Sequence, residues 1–153
     1  MPGDEAVANR SAHHRVVPIL AWVLISAPLH LGWEVVHVRW YTLWFEPRAT
    51  IVYSVLHCTL GDIVISAAAF VLAALVSRTQ DWALRRPAHG LIVLLAAGLG
   101  YTAASEWVNV YYLQRWAYLP RMPLMAGIGV SPLLQWIVVP LASFGIYRAW
   151  TSR

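Results

Sequence analysis

Four apolar runs divide the chain: Val16–Val38, Thr50–Val76, Gly90–Tyr112 and Ser131–Trp150. Each holds about 20 residues or more, enough to cross ~30 Å of hydrocarbon at 1.5 Å per residue. Short stretches rich in Arg, Pro and Trp separate them. The pattern predicts an all-α polytopic membrane protein, a four-transmembrane-helix bundle, with residues 16–153 as a single membrane domain. Residues 1–15 lack apolar periodicity and read as a disordered cytoplasmic tail. The first run is expected to remain as a span rather than be cleaved, because it is long for a signal peptide and Pro28 follows Ala27.

Polar residues interrupt these runs at informative places. Six ionisable side chains fall inside or at the ends of the spans: His30, Glu34, His37, His57, Asp62 and Glu106. Such groups are costly in hydrocarbon, so each is a functional-site hypothesis by default. Spans that alternate in direction place them at similar depth. His30 lies near the middle of span 1, Asp62 near the middle of span 2, and Glu106 about six residues, or ~9 Å, from the end of span 3. Gln135 and Trp136 follow the start of span 4. The polar groups therefore converge on one half of the bundle, while Ala67–Val76, Leu91–Leu99 and Val138–Ile146 leave the other half nearly plain.

Helical facing narrows the set. Steps of four and three residues put His30, Glu34 and His37 on one face of span 1. Ser54, Cys58, Asp62 and Ser66 repeat every four residues in span 2. Thr102, Glu106 and Asn109 share a face of span 3, with Gly98 and Ser105 allowing close packing. His57 points roughly 140° from Asp62 and is expected toward the headgroups.

Charge adds orientation. All eleven basic residues are arginines. Seven of them (10, 15, 78, 85, 86, 148 and 153) fall on one side of the four-span arrangement and four (39, 48, 115 and 121) on the other. The positive-inside rule then puts both termini in the cytoplasm of a cell-membrane protein. The arginines form no stripe, so nucleic acid is not an expected partner. Cys58 is the single cysteine and offers no disulfide. Trp33, Trp40, Trp44, Trp107 and Trp116 match an interfacial aromatic belt. The two prolines in Trp116–Leu124 predict a structured, non-helical loop that either covers the pocket or merely connects spans 3 and 4.

The plainest role for these polar groups is interhelical hydrogen bonding, worth about 0.6 kcal/mol each, as in a small structural subunit of a membrane complex. Two chemical roles compete with it. One is a metal site: Glu34-x-x-His37 has the spacing of carboxylate-bridged di-metal bundles, with Asp62 and Glu106 as further donors and iron, zinc or copper as the metal. Haem would need His30 or His37 opposite His57. The other is cofactor-free proton transfer. Two buried acids cannot both stay ionised without partners, and a carboxyl that keeps its proton near neutrality serves as acid or base. Aromatic faces at Trp33, Trp107 or Trp136 would stabilise an intervening cation.

His30-Leu31-Gly32-Trp33-Glu34 resembles the His-Leu-x-x-Glu of the emopamil-binding protein family, the sterol isomerases and their EXPERA-domain relatives. Asp62 falls where that family has its second catalytic carboxylate. Trp136-x-x-x-Pro140 resembles its last-helix Trp and Pro, although Leu133 stands in place of the family's Asn. The resemblance implies a four-span fold without a metal cofactor, acting on a hydrophobic sterol- or terpenoid-like ligand. It assigns protonation to His30 and Glu34, proton removal to Asp62 and cation support to Trp136. Glu106 has no counterpart in it. Oligomeric state is left open.

Overall fold

A computed structural model describes residues 3–151, with side chains from residue 18 onward; helix begins at Gly3, within the stretch expected as a disordered tail. The chain is helical through α1 (Gly3–His37), α2 (Arg48–Ser77), the single turn α3 (Trp82–Arg85), α4 (Pro87–Trp107) and α5 (Val130–Thr151). Among the described residues, four stretches are long and apolar enough to cross a membrane: Pro18–Trp40, Arg48–Ser77, Pro87–Tyr112 and Val130–Thr151. These match the four expected spans to within about three residues at each end. The protein is a multi-pass membrane protein whose outward-facing apolar side chains, such as Leu24, Leu60, Leu75 and Ile92, suit a lipid surrounding.

The helices form a ring in the order α1, α2, α4, α5, each packed on its two neighbours. The two halves of the bundle differ. Toward α3, Trp22, Phe70, Trp82, Leu94 and Tyr147 build an aromatic core. Its ring centroids lie 5.3 Å apart for Trp22–Phe70 and 5.2 Å for Phe70–Trp82. Lipid tails are as apolar as these side chains, so their contribution comes from close packing and not from leaving water. Trp22 also donates from Nε1 to Ser66 Oγ at 2.9 Å, joining α1 to α2.

Two glycines set the approach of the helices. A Cβ on Gly90 would lie 2.1 Å from Trp82, and one on Gly98 would lie 2.0 Å from Trp136. The indoles of α3 and α5 thus rest directly on the backbone of α4. Gly98 was legible as a packing position; the turn that delivers Trp82 was not.

The other end is rich in loops. After α1 come two 3-10 turns, Val38–Trp40 and Thr42–Phe45, and α4 continues into a π-turn, Val108–Tyr112. A two-stranded hairpin, β1 (Leu124–Met125) with β2 (Ile128–Gly129), precedes α5. Its connecting residues Ala126 and Gly127 both have positive φ, 51° and 81°, the geometry that turns a two-residue hairpin tightly.

These loops are tied together across the bundle. Tyr41 and Tyr118 form an antiparallel bridge. Thr42 N donates to Ala117 O at 2.9 Å, Ala117 N to Thr42 Oγ1 at 3.0 Å, and Leu119 N to Trp40 O at 2.9 Å. The segment 116–124 is therefore a strap across the end of the bundle, and Trp116 on it lines the cavity beneath. Of its two expected roles, the covering one matches this geometry.

Candidate intramembrane acid site

Beneath the strap lies a cavity of about 260 Å³ reached by all four spans. The polar face of α2 supplies Ser54, Cys58 and Asp62, α4 supplies Thr102, Ser105 and Glu106, and the π-turn after it supplies Asn109. Glu34 and His37 come from α1, and Gln135 and Trp136 from α5. The fourfold stripe read from span 2 thus faces the cavity at three of its four positions. The fourth, Ser66, turns to Trp22 in the aromatic half.

Two polar clusters occupy the cavity wall. In the first, Gln135 Nε2 donates to Asp62 Oδ2 at 2.7 Å and lies 3.2 Å from His30 Nδ1. His30 Nδ1 is itself 3.7 Å from Asp62 Oδ2. The Glu34 carboxyl is within hydrogen-bonding reach of Asp62. His37 extends this chain: Nε2 sits 3.2 Å from Glu34, and Nδ1 sits 3.0 Å from Ser131 Oγ. An unbroken line of contacts therefore runs Ser131–His37–Glu34–Asp62–Gln135–His30 through three spans.

The second cluster centres on Glu106. Tyr41 and Tyr118 both donate to its Oε2, at 3.2 Å and 2.6 Å. Burial and the neighbouring Glu106 carboxyl hold the Tyr41 phenol well above the usual tyrosine range. Burial and its bond to Glu106 raise Tyr118 likewise. Both phenols thus remain O–H donors, which an acidic acceptor requires.

The expected site residues divide accordingly. Glu34, Asp62, Glu106 and Trp136 line the cavity. His30 is fully buried behind it and reaches it through Asp62 and Gln135, with its ring centroid 5.4 Å from that of Trp136. His37 is as much a part of the wall as Glu34. His57 is exposed and stacked on Tyr53, at the cavity rim. Among the aromatic candidates for facing a cation, Trp136 lines the cavity; Trp107 is 55% exposed and Trp33 is half-buried away from it.

Three participants had no signal in the pattern. Tyr41 and Tyr118 lie on non-helical segments, and Ser131 is a small polar residue at a span end. Gln135 was visible as an amide, but its bonding to Asp62 and His30 was not.

The alternative metal donors Glu34, His37, Asp62 and Glu106 all line the cavity, and each already has a polar partner. Glu34 and His37 bond each other, Asp62 takes Gln135, and Glu106 takes two phenols. Among the described residues, no three His, Cys, Asp or Glu side chains are grouped to hold a metal ion. The chain matches no protein-family model, no curated protein and no solved structure.

Proposed function

We propose that the cavity binds a hydrophobic, alkene-bearing small molecule and moves its double bond by acid–base chemistry, in the manner of an isomerase. The observation that carries this reading is the pairing of Glu34 with Asp62 in one cavity that is also lined by the buried indole of Trp136. Ionised carboxylates only accept hydrogen bonds, so two carboxyls in bonding reach of each other work as a pair when one holds a proton.

The step balances without an external reactant. One carboxyl of the pair gives its proton to an alkene carbon, and the electron pair of the double bond forms the new C–H bond. The cation left on the neighbouring carbon faces Trp136. The other carboxylate removes a proton from the next carbon, and that C–H electron pair becomes the shifted double bond. His37 steadies Glu34, and Gln135 with His30 steadies Asp62, so each acts as a positioning group. The likeness of His30, Glu34, Asp62 and Trp136 to the EXPERA-type pattern supports the same assignment, since these four positions gather around one another. The arginine distribution supports a cell-membrane location with the loop-rich end outward and both termini cytoplasmic.

The test is deuterium uptake. Purified chain in phosphatidylcholine vesicles made in heavy water is given a panel of terpenoid and sterol alkenes, and products are weighed by mass spectrometry. A shifted isomer carrying one deuterium is expected, with the rate falling ~10²-fold or more in Glu34→Gln and Asp62→Asn, the usual scale of general acid–base catalysis. Variants that alter only assembly or stability while uptake is absent throughout would leave the polar groups a structural role. Stoichiometric iron, zinc or copper in the active protein would replace the proposal with metal chemistry.

A further inference from the structure

The cavity wall is not uniform. Every lining residue from α1 and α5, including Glu34, His37, Gln135 and Trp136, is buried. The helix-borne lining residues that are exposed all belong to α2 and α4: His57, Gly61 and Tyr101. The α1 and α5 part of the wall is therefore buried, and the exposed part lies on α2 and α4, with exposed Arg115 at the loop-rich end.

The exposed part on α2 and α4 lies at membrane depth. Gly61 is 13 residues into α2 from Arg48, or ~20 Å along the helix, and Tyr101 is 11 residues before Tyr112, or ~16 Å. Both lie well inside spans that cross ~30 Å of hydrocarbon. A Cβ on Gly61 would meet nothing within 4 Å, so the rim there is free space. The loop-rich end, by contrast, is crossed by the strap, with Tyr118 bonded down onto Glu106.

Size adds a second constraint. Pockets that engulf a drug-sized ligand run to ~300–1,000 Å³. At about 260 Å³ the cavity falls short of enclosing a whole polycyclic or long-chain molecule. Its lining is mixed: Asp62, Glu106, Gln135 and Asn109 offer hydrogen-bonding groups beside apolar Val55, Ile65 and Trp136, which suits a polar head with its adjoining carbons.

We infer that the ligand is a membrane-dissolved amphiphile that enters sideways between α2 and α4, seats its compact polar head and adjoining carbons in the cavity, and leaves its apolar remainder in the lipid. The inference rests on the reading that the cavity binds a hydrophobic small molecule, and it adds the route and the class. Gly61 and Tyr101 form the gate, and substrates are selected by the size of the head and not by the length of the tail.

The test uses the full chain in phosphatidylcholine vesicles with two photoactivatable long-chain primary alcohols. One carries its diazirine beside the hydroxyl and the other at the far end of the tail. The head-labelled probe is expected to attach to the α2 and α4 peptides holding Asp62 and Glu106, and the tail-labelled probe to lipid-facing residues. Gly61→Trp should lower head-probe attachment in the cavity tenfold or more, and Tyr101→Ala should raise it. Leu60→Trp, on the exposed face of α2 and outside the cavity lining, should leave it unchanged. Cavity attachment that ignores both gate substitutions overturns the lateral route while leaving ligand binding intact. Attachment no higher in the cavity than on the lipid-facing surface overturns ligand binding and the route together. Helical content and melting of each variant establish that the gate changes act on a folded protein.

Discussion

Gly98 offers the sharpest test of how the site is held. Trp136 lies against the α4 backbone there, and an alanine Cβ would stand 2.0 Å from its Cε3 and 2.5 Å from its Cζ3. Restoring ordinary contact at 3.4 Å requires the indole or the helix to move by about 1.4 Å (3.4 − 2.0). Trp136 is fully buried, and overpacking of this kind costs about 1–3 kcal/mol. Alanine also brings a helix-propensity gain of about 1 kcal/mol over glycine. Gly100→Ala receives the same gain with nothing within 4 Å of the new methyl, so the difference between the two variants isolates the clash. Thermal unfolding in detergent should place Gly98→Ala about 1–3 kcal/mol below Gly100→Ala, with a shifted tryptophan emission in the former alone. If Trp136 positions the reacting carbon, a displacement near 1 Å also lowers turnover ~10²-fold. Equal stabilities and identical emission for the two variants would refute the packing argument.

Two further outcomes follow from the polar clusters. Gln135→Leu removes the 2.7 Å donor to the part-buried Asp62 carboxyl and the contact to His30. Unfolding should show a loss of about 1–3 kcal/mol, and stability unchanged within error would mean that Asp62 finds another donor. For Tyr41 and Tyr118, the folded protein favours the neutral phenol, so their contribution is complete below the unfolded value of about 10 and declines as pH rises beyond it. Absorbance titration of the protein minus its Tyr41→Phe or Tyr118→Phe variant should show the missing phenol ionising above pH 10, and a difference curve centred at 10 would contradict the Glu106 cluster.

Much of this arrangement is legible in the chain because helices make facing periodic. Spacings of three and four residues were enough to bring Glu34 and His37, Cys58 and Asp62, and Thr102 and Glu106 to common faces. Span direction alone then brought those faces to one depth. What periodicity cannot convey is the partner of each group. His37 near a span end is equally consistent with reaching for the interface, and only the position of Ser131 on α5 turns it inward. Tyr41 and Tyr118 sit in a 3-10 turn boundary and a strap, where no repeat relates a residue to a helix face. The turn carrying Trp82 is four residues long, too short to leave a hydrophobic period.

The strap also fixes when the site becomes complete. Glu106 draws its two phenols from opposite directions along the chain, Tyr41 from 65 residues before it and Tyr118 from 12 residues after. During synthesis from the N-terminus, the span bearing Glu106 is made while one donor already exists and the other has not yet been translated. The second bond can close only once the strap has folded back over the 3-10 turns, just ahead of the last span. A nascent chain therefore carries an incompletely satisfied acid until the strap that caps it has been made.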